Sequence, residues 1–201
     1  TSALMVGVAA TQASFGNIMA AGIAGVAAGA MSMAAGEYVS VKSQSDIEDA
    51  DRKMEIEHLA ADPEGELEEL SEIYEGRGLS PELARQVAVA LTEHDAVGAH
   101  LREELGHHET SRARPVQAAV ASAASFVVGS LVPFIGMFAS DAIRVQAVVA
   151  VSVLGLVVAG IAAALAAGCG VLRPTVRVVI GGSLAMAVTF AVGSLFDLGA
   201  V

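Results

Sequence analysis

Tryptophan is absent from this sequence, cysteine occurs once and basic residues are scarce. The single cysteine, Cys169, excludes an intramolecular disulfide framework. Eleven Lys and Arg against 22 Asp and Glu give a net charge of −11, which argues against a nucleic-acid partner and favours cations. Aromatic residues make up 4% of the chain and hydrophobic residues 54%, which is not the composition of an ordinary soluble domain.

The sequence patterns of several enzyme classes are missing as well. No HExxH zinc-hydrolase spacing occurs, and no arrangement of Ser, His and Asp in the apolar stretches suggests a nucleophile. The glycine pair Gly181-Gly182 is not followed by GKS or GKT, so we interpret it as a helix-packing surface. We therefore expect that the protein is not an enzyme.

Charge is segregated along the chain. Residues 1–41 and 115–201 carry almost none, whereas 42–114 carries most of it. A transmembrane helix needs about 20 apolar residues. Four stretches reach that length: Ile18–Val41, Val116–Ala139, Val145–Ala167 and Thr175–Phe196. Residues 3–13 are too short to span and are interpreted as the second half of a first span that begins before Thr1.

These patterns predict an all-α polytopic membrane protein with five transmembrane helices, the first of them truncated, and one three-helix insertion. Asp62-Pro63 and Ser80-Pro81 are typical helix starts, and Gly76 is expected to end the helix between them. Pro133 should kink or break the third span. The predicted domains are 1–45 for transmembrane helices 1 and 2, 46–111 for the insertion, and 112–201 for transmembrane helices 3–5.

The distribution of Lys and Arg predicts the orientation of the chain. Basic residues flank the insertion and the connection between the fourth and fifth spans, and only Arg144 opposes them. Because positive residues favour the cytosolic side, we expect the insertion to be cytosolic. A bacterial inner membrane and an organelle membrane both satisfy this rule.

Two groups of side chains could bind a cation. Met33 and Glu37 lie four residues apart near the end of the second span, and a thioether with a carboxylate suits a borderline divalent ion such as Fe²⁺. On composition alone, Glu37 is as readily a solvated group at headgroup level, and Met31 and Met33 are as readily packing residues.

The insertion holds all five histidines beside many carboxylates. Three groupings have helical spacing: Asp51, Glu55, His58 and Asp62; Glu66 and Glu69; and His100 and Glu104, next to Glu103 and His107. Carboxylates with imidazole are reasonable ligands for Fe²⁺, Mn²⁺ or Zn²⁺. The alternative is a solvated acidic face that binds nothing.

The stretch GAMSMAAGEYVSVKSQSD, which contains Met31, Met33 and Glu37, resembles the signature of the vacuolar iron transporter family (VIT and CCC1-like proteins). The resemblance extends over essentially the whole chain and suggests a bacterial-type member. It implies a homodimer that exports Fe²⁺, and possibly Mn²⁺, from the cytosol in exchange for protons. It also implies that Glu37 and the methionines line the translocation path.

The resemblance further implies a metal site in the insertion. The family's glutamates there match Glu66, Glu69 and Glu104, and its methionine position is occupied by His100. Two further family glutamates fall on Arg77 and Ser80, so the site is expected to be smaller and richer in imidazole. The Asp51–Asp62 stripe is not part of this match and is the weaker candidate.

We therefore interpret the chain as a metal transporter of a bacterial inner membrane or a vacuolar membrane, with divalent ions, protons and lipid as partners. The alternative is a membrane-anchored iron buffer or sensor, in which the spans only hold the insertion in place. A membrane metalloenzyme is a third and remote alternative.

Overall fold

The computed structural model describes residues 1–106 and 113–197. The regular secondary structure of these residues is helical, which confirms the all-α class. The helices are α1 (Ser2–Ala9), α2 (Phe15–Ala61), α3 (Pro63–Gly76), α4 (Pro81–Glu103), α5 (Pro115–Met137), a 3₁₀ turn (Asp141–Ile143), α6 (Arg144–Ala166) and α7 (Leu172–Asp197).

Four of these helices, α2, α5, α6 and α7, are long and apolar enough to cross a membrane. They coincide with the four full spans expected from the sequence. The helix α1 has 8 residues, and the predicted fifth span, of which it would be a part, stays a prediction.

The chain divides into two compact units. Unit 1 contains residues 1–36 and 119–201, and unit 2 contains residues 37–118. Each unit has its own buried cluster. The helix α2 belongs to both units, because it runs without a break from Phe15 to Ala61.

The continuous α2 differs from the three separate helices expected for the insertion. The first of those three is the continuation of α2 beyond the predicted end of the span at Val41. No glycine or proline occurs between Gly36 and Pro63, so the change from apolar to polar sequence alters the environment of the helix without ending it. The helix ends where Asp62-Pro63 begins α3.

Unit 1 is held together by apolar packing and close helix crossings. Its buried cluster consists of Met5, Val6, Ile18, Met137 and Val148. The helix α5 continues through Pro133 and ends at Met137, so the break that was one of two alternatives predicted at Pro133 does not occur; the other, a kink, stays a prediction. Large apolar side chains on the four long helices face outward, as expected for helices surrounded by lipid.

In unit 2, α3 and α4 form an antiparallel hairpin, called the hairpin below. Its buried cluster of Leu70, Ala88 and Ala99 comes from these two helices. The predicted helix starts are confirmed: the Asp62 side chain accepts a hydrogen bond from the Gly65 amide at 3.0 Å, and Ser80 caps α4 in the same way. The turn between the helices uses Gly78 at φ +99°, a conformation that favours glycine.

Candidate metal site

Unit 2 gathers three carboxylates around one imidazole. The imidazole belongs to His100 on α4, and the carboxylates belong to Glu55 on α2, Glu66 on α3 and Glu104, which caps the C-terminal end of α4. His100 and Glu104 are one helical turn apart and therefore lie on the same face of α4. We call these four residues the His100 cluster.

A break in α4 defines the short segment that carries His100 and Glu104. Asp95 has φ −162° and ψ 87°, so the helix is interrupted at this residue. The Asp95 side chain accepts a hydrogen bond from the Gly98 amide at 3.1 Å, which is the geometry of a helix N-cap. Asp95 thus begins a second helical segment, and the direction of that segment sets the position of His100.

Three carboxylates of the His100 cluster approach one ring nitrogen of His100, and this nitrogen has no hydrogen-bond partner among the described residues. His100 Nδ1 lies 3.3 Å from Glu55 Oε1, 3.6 Å from Glu66 Oε2 and 3.7 Å from Glu104 Oε2. A hydrogen bond from a charged imidazole to a carboxylate is about 2.7–2.9 Å long. Two ligand atoms that share a tetrahedral ion, each about 2.1 Å from it, are about 3.4 Å apart. The three distances from His100 Nδ1 are close to this spacing.

Burial makes these groups costly without a partner. The His100 side chain is 0% exposed, and both of its ring nitrogens lack hydrogen-bond partners among the described residues. The same is true of Glu55 Oε1. A buried polar atom without a partner costs about 1–3 kcal/mol. The orphaned atoms of two different helices point into the same cluster, which indicates that a further group belongs there.

Burial raises the pKa of Glu55. The nearby charges of Glu104 and Glu66 raise this pKa further, and His100 opposes the shift. The fold therefore disfavours the ionised carboxylate of Glu55 unless a cation accompanies it.

Arginines neutralise other carboxylates of the hairpin and leave this cluster alone. Arg77 and Arg102 pair with Glu103, and they hold the pKa of Glu103 below its usual range. Arg85 bridges Glu64 and Glu68. Over residues 1–106 and 113–197, neither Lys nor Arg forms an ion pair with a carboxylate of the His100 cluster. In the part of the chain that the structure describes, the basic groups that face these carboxylates are the imidazoles of His100 and His58.

One imidazole with carboxylates is a donor set that suits Fe²⁺, Mn²⁺ or Zn²⁺. Potential ligand atoms of Glu55, His100 and Glu104 all lie within 4.8 Å of one another, which is close enough to hold one ion. Glu66 Oε2 on α3 lies 3.6 Å from His100 Nδ1, beside this group. The arrangement therefore offers a set of donors for one divalent cation.

The structure brings together three of the four metal ligands expected from the sequence: Glu66, His100 and Glu104. The fourth, Glu69, is exposed, and no ion pair joins it to His100 in the described part of the chain. The position that the expected ligand set missed is Glu55. The sequence signal that contained Glu55 was the stripe of Asp51, Glu55, His58 and Asp62, spaced four, three and four residues apart. This periodicity did not show that Glu55 lies against α4.

The remaining candidates of the insertion have other environments. Asp62 caps α3, and His58 Nδ1 lies 4.0 Å from Glu66 Oε1 at the edge of the His100 cluster. Glu103 is engaged by two guanidinium groups. His107 and His108 lie outside the described residues.

The three residues expected on a translocation path lie on α2. Met31 is 71% exposed and Met33 is 42% exposed. Glu37 is also exposed. These positions present a carboxylate and two thioethers on the surface of the helix, and their role on a path stays a prediction.

Comparison with known proteins agrees with this architecture. The model of the VIT family matches residues 1–194. The "Vacuolar iron transporter" of Acanthamoeba castellanii is 43% identical over 195 residues, which cover 96% of this chain and 74% of that protein. "Vacuolar iron transporter homolog 1" of Oryza sativa is 37% identical over 199 residues, covering 98% and 68% of the two chains.

A third relative, "Vacuolar iron transporter 1" of Arabidopsis thaliana, is 32% identical over 199 residues, covering 96% of this chain and 79% of its own length. The matches thus include the apolar helices as well as the acidic unit, in agreement with an integral membrane protein. The chain belongs to the VIT family.

Proposed function

We propose that this protein transports Fe²⁺, and also Mn²⁺, out of the cytosol in exchange for protons. The printed names of its relatives support iron as the substrate. Four membrane-length helices support a transport role over that of a soluble carrier. The single observation that carries the proposal is the buried His100 cluster, whose donor atoms are spaced for a divalent ion.

Unit 2 would collect the metal on the cytosolic side. Glu66, His100 and Glu104 are the proposed ligands, and Zn²⁺ fits the same donor set. Glu69 is proposed as an additional carboxylate at the exposed side of α3. The excess of acidic residues around the site would raise the local concentration of cations.

The proposed translocation path uses Glu37, Met33 and Met31. Met33 and Glu37 are separated by four residues on an unbroken helix, so a thioether and a carboxylate point in the same direction. A carboxylate that loses a proton gains the ability to bind metal, and this links metal movement to proton movement. The small residues of α2 are suited to close helix contacts in a homodimer.

Uptake into vesicles tests the proposal. Purified protein in lipid vesicles should accumulate Fe²⁺ when a proton gradient is applied, and Glu37→Gln should abolish accumulation while preserving helical content. Glu57→Gln is the matched control, because it removes one carboxylate from an exposed position of the same helix. If the wild-type protein binds Fe²⁺ but vesicles accumulate none, the protein is a membrane-anchored buffer or sensor and not a transporter.

A further inference from the structure

Two arginines near the start of α7 lie far from the carboxylates of unit 1. Arg173 and Arg177 are exposed and one helical turn apart. The sequence of unit 1 contains two carboxylate side chains, Asp141 and Asp197. Asp141 pairs with Arg144 at the opposite end of α6 from Arg173. Asp197 is the last residue of α7, about 30 Å along the helix from Arg177.

The guanidinium groups of these two arginines are unsatisfied. Arg77 and Arg85 of the hairpin pair with neighbouring carboxylates. Within the ranges that the structure covers, 1–106 and 113–197, neither Arg173 nor Arg177 forms an ion pair or a side-chain hydrogen bond. A guanidinium presents five N–H donors in a planar fork that matches the oxygens of carboxylate and phosphate groups. The two side chains are therefore free to bind an anion.

The packing of α7 against α6 fixes the direction of both arginines. A Cβ on Gly160 of α6 would lie 2.7 Å from Thr175 Cα, so the backbone at Thr175 faces α6 in close contact. Successive residues of an α-helix are about 100° apart around its axis, and Arg173 and Arg177 are each two residues from Thr175. Both arginines therefore lie on the side of α7 that is turned away from α6.

The same side of α7 continues with large aliphatic residues. Ile180 lies three residues after Arg177, and Leu184 lies four residues after Ile180. These two side chains are 62% and 63% exposed, on a helix long and apolar enough to cross a membrane. We call Arg173, Arg177, Ile180 and Leu184 the outward face of α7. Along the helix axis this face presents two cations and then an apolar strip, which is the order of a phospholipid headgroup and its acyl chains.

We propose that the outward face of α7 binds an anionic phospholipid. Arg173 and Arg177 bind its phosphate through charge-assisted hydrogen bonds, and Ile180 and Leu184 pack against its acyl chains. The lipid is anionic because the protein supplies no negative charge to balance the two arginines at this position. Membrane orientation requires positive residues on one side but no particular lipid, so a selective site is a separate property. The inference is independent of metal binding by unit 2 and of transport.

Lipid selectivity of the full chain in neutral detergent tests the proposal. Native mass spectrometry can compare the binding of phosphatidylglycerol and phosphatidylcholine that carry the same acyl chains. Wild type should prefer phosphatidylglycerol. Each replacement, Arg173→Gln or Arg177→Gln, should lower this preference about fivefold and the pair about 30-fold, because each basic residue near an anionic surface contributes about this factor. Arg52→Gln/Lys53→Gln removes the same charge from exposed positions of α2 and should stay within about twofold of wild type.

Two measurements on the wild-type protein do not depend on a variant that folds. Raising the ionic strength from about 0.05 M to about 0.5 M should weaken the preference, because exposed charges are screened by salt. Inorganic phosphate at the concentration of the lipid should not displace phosphatidylglycerol, because it has no acyl chains to contact Ile180 and Leu184.

The outcomes separate a lipid site from a general effect of charge. A loss confined to the α7 variants, with the helical content of wild type in far-UV circular dichroism, would support the site. A wild-type protein without lipid preference, a preference that salt does not weaken, or an equal loss in the α2 control pair would overturn it. Displacement of the lipid by inorganic phosphate would overturn it as well, since the site would then be one for free phosphate.

Discussion

Truncation of Leu70 should make unit 2 dependent on metal for its packing. Leu70 is 0% exposed in the cluster of the hairpin, with Ala88 and Ala99 around it. Replacement of a fully buried leucine by alanine costs about 2–5 kcal/mol, and we take about 3 kcal/mol for this site. Metal bound at 100 times its dissociation constant returns about 2.7 kcal/mol. The two effects nearly cancel, so Leu70→Ala should be loosely packed without metal and close to wild type with it.

Amide exchange of α4 in the full chain, measured in detergent with and without Mn²⁺, provides the readout. Without metal, Leu70→Ala should exchange about 150-fold faster than wild type, because 1.4 kcal/mol corresponds to tenfold. Saturating Mn²⁺ should slow exchange about 100-fold. Leu83→Ala is the control. Leu83 lies on α4, the helix whose exchange is measured, and is 48% exposed, so its truncation should lower the stability by about 0.5 kcal/mol or less. Equal acceleration in both variants, or no response to Mn²⁺, would refute the reasoning.

Three further changes test other parts of the fold. In α5, Gly136→Ala should lower the melting temperature in detergent, because the added Cβ would lie 2.5 Å from backbone atoms of α6. Gly129→Ala on the same helix is the control: its Cβ would meet nothing within 4 Å, so this variant should be neutral or stabilising. The pKa of Glu103 is lowered by two guanidinium groups, so its contribution to stability is complete at neutral pH and is lost as the pH falls below about 4.3. Far-UV circular dichroism during an acid titration should therefore show a smaller loss of hairpin stability for Glu103→Gln than for wild type. Asp95→Ala should lower the stability of unit 2 by about 1 kcal/mol, because the helix cap at Asp95 is lost. The same variant should bind Mn²⁺ more weakly, as measured by calorimetry, because Asp95 begins the helical segment that carries His100.

The sequence predicted the features that local chemistry determines. Apolar runs of membrane length predicted the four long helices. Asp62 and Ser80 predicted the starts of α3 and α4, because a capping side chain accepts a hydrogen bond from an amide two or three residues further along the chain. Glu66, His100 and Glu104 were predicted through a resemblance, and the structure places them in one cluster.

Other features depend on tertiary contacts and were not predicted. The full length of α2 was missed because a change in hydropathy was interpreted as a helix end, although the backbone continues to Ala61. The periodic stripe contained Glu55 but did not show which helix it meets. The break at Asp95 was also missed, since an aspartate within a polar helix resembles a solvated residue until its hydrogen bond to Gly98 is seen.

The most direct measurement of the central claim is anomalous diffraction from crystals of the full chain soaked in Mn²⁺. The structure predicts a peak at about 2.0–2.3 Å from His100 Nδ1, in contact with carboxylate oxygens of Glu55 and Glu104. A peak confined to the exposed side of α3 between Glu66 and Glu69, with none at His100, would contradict the account.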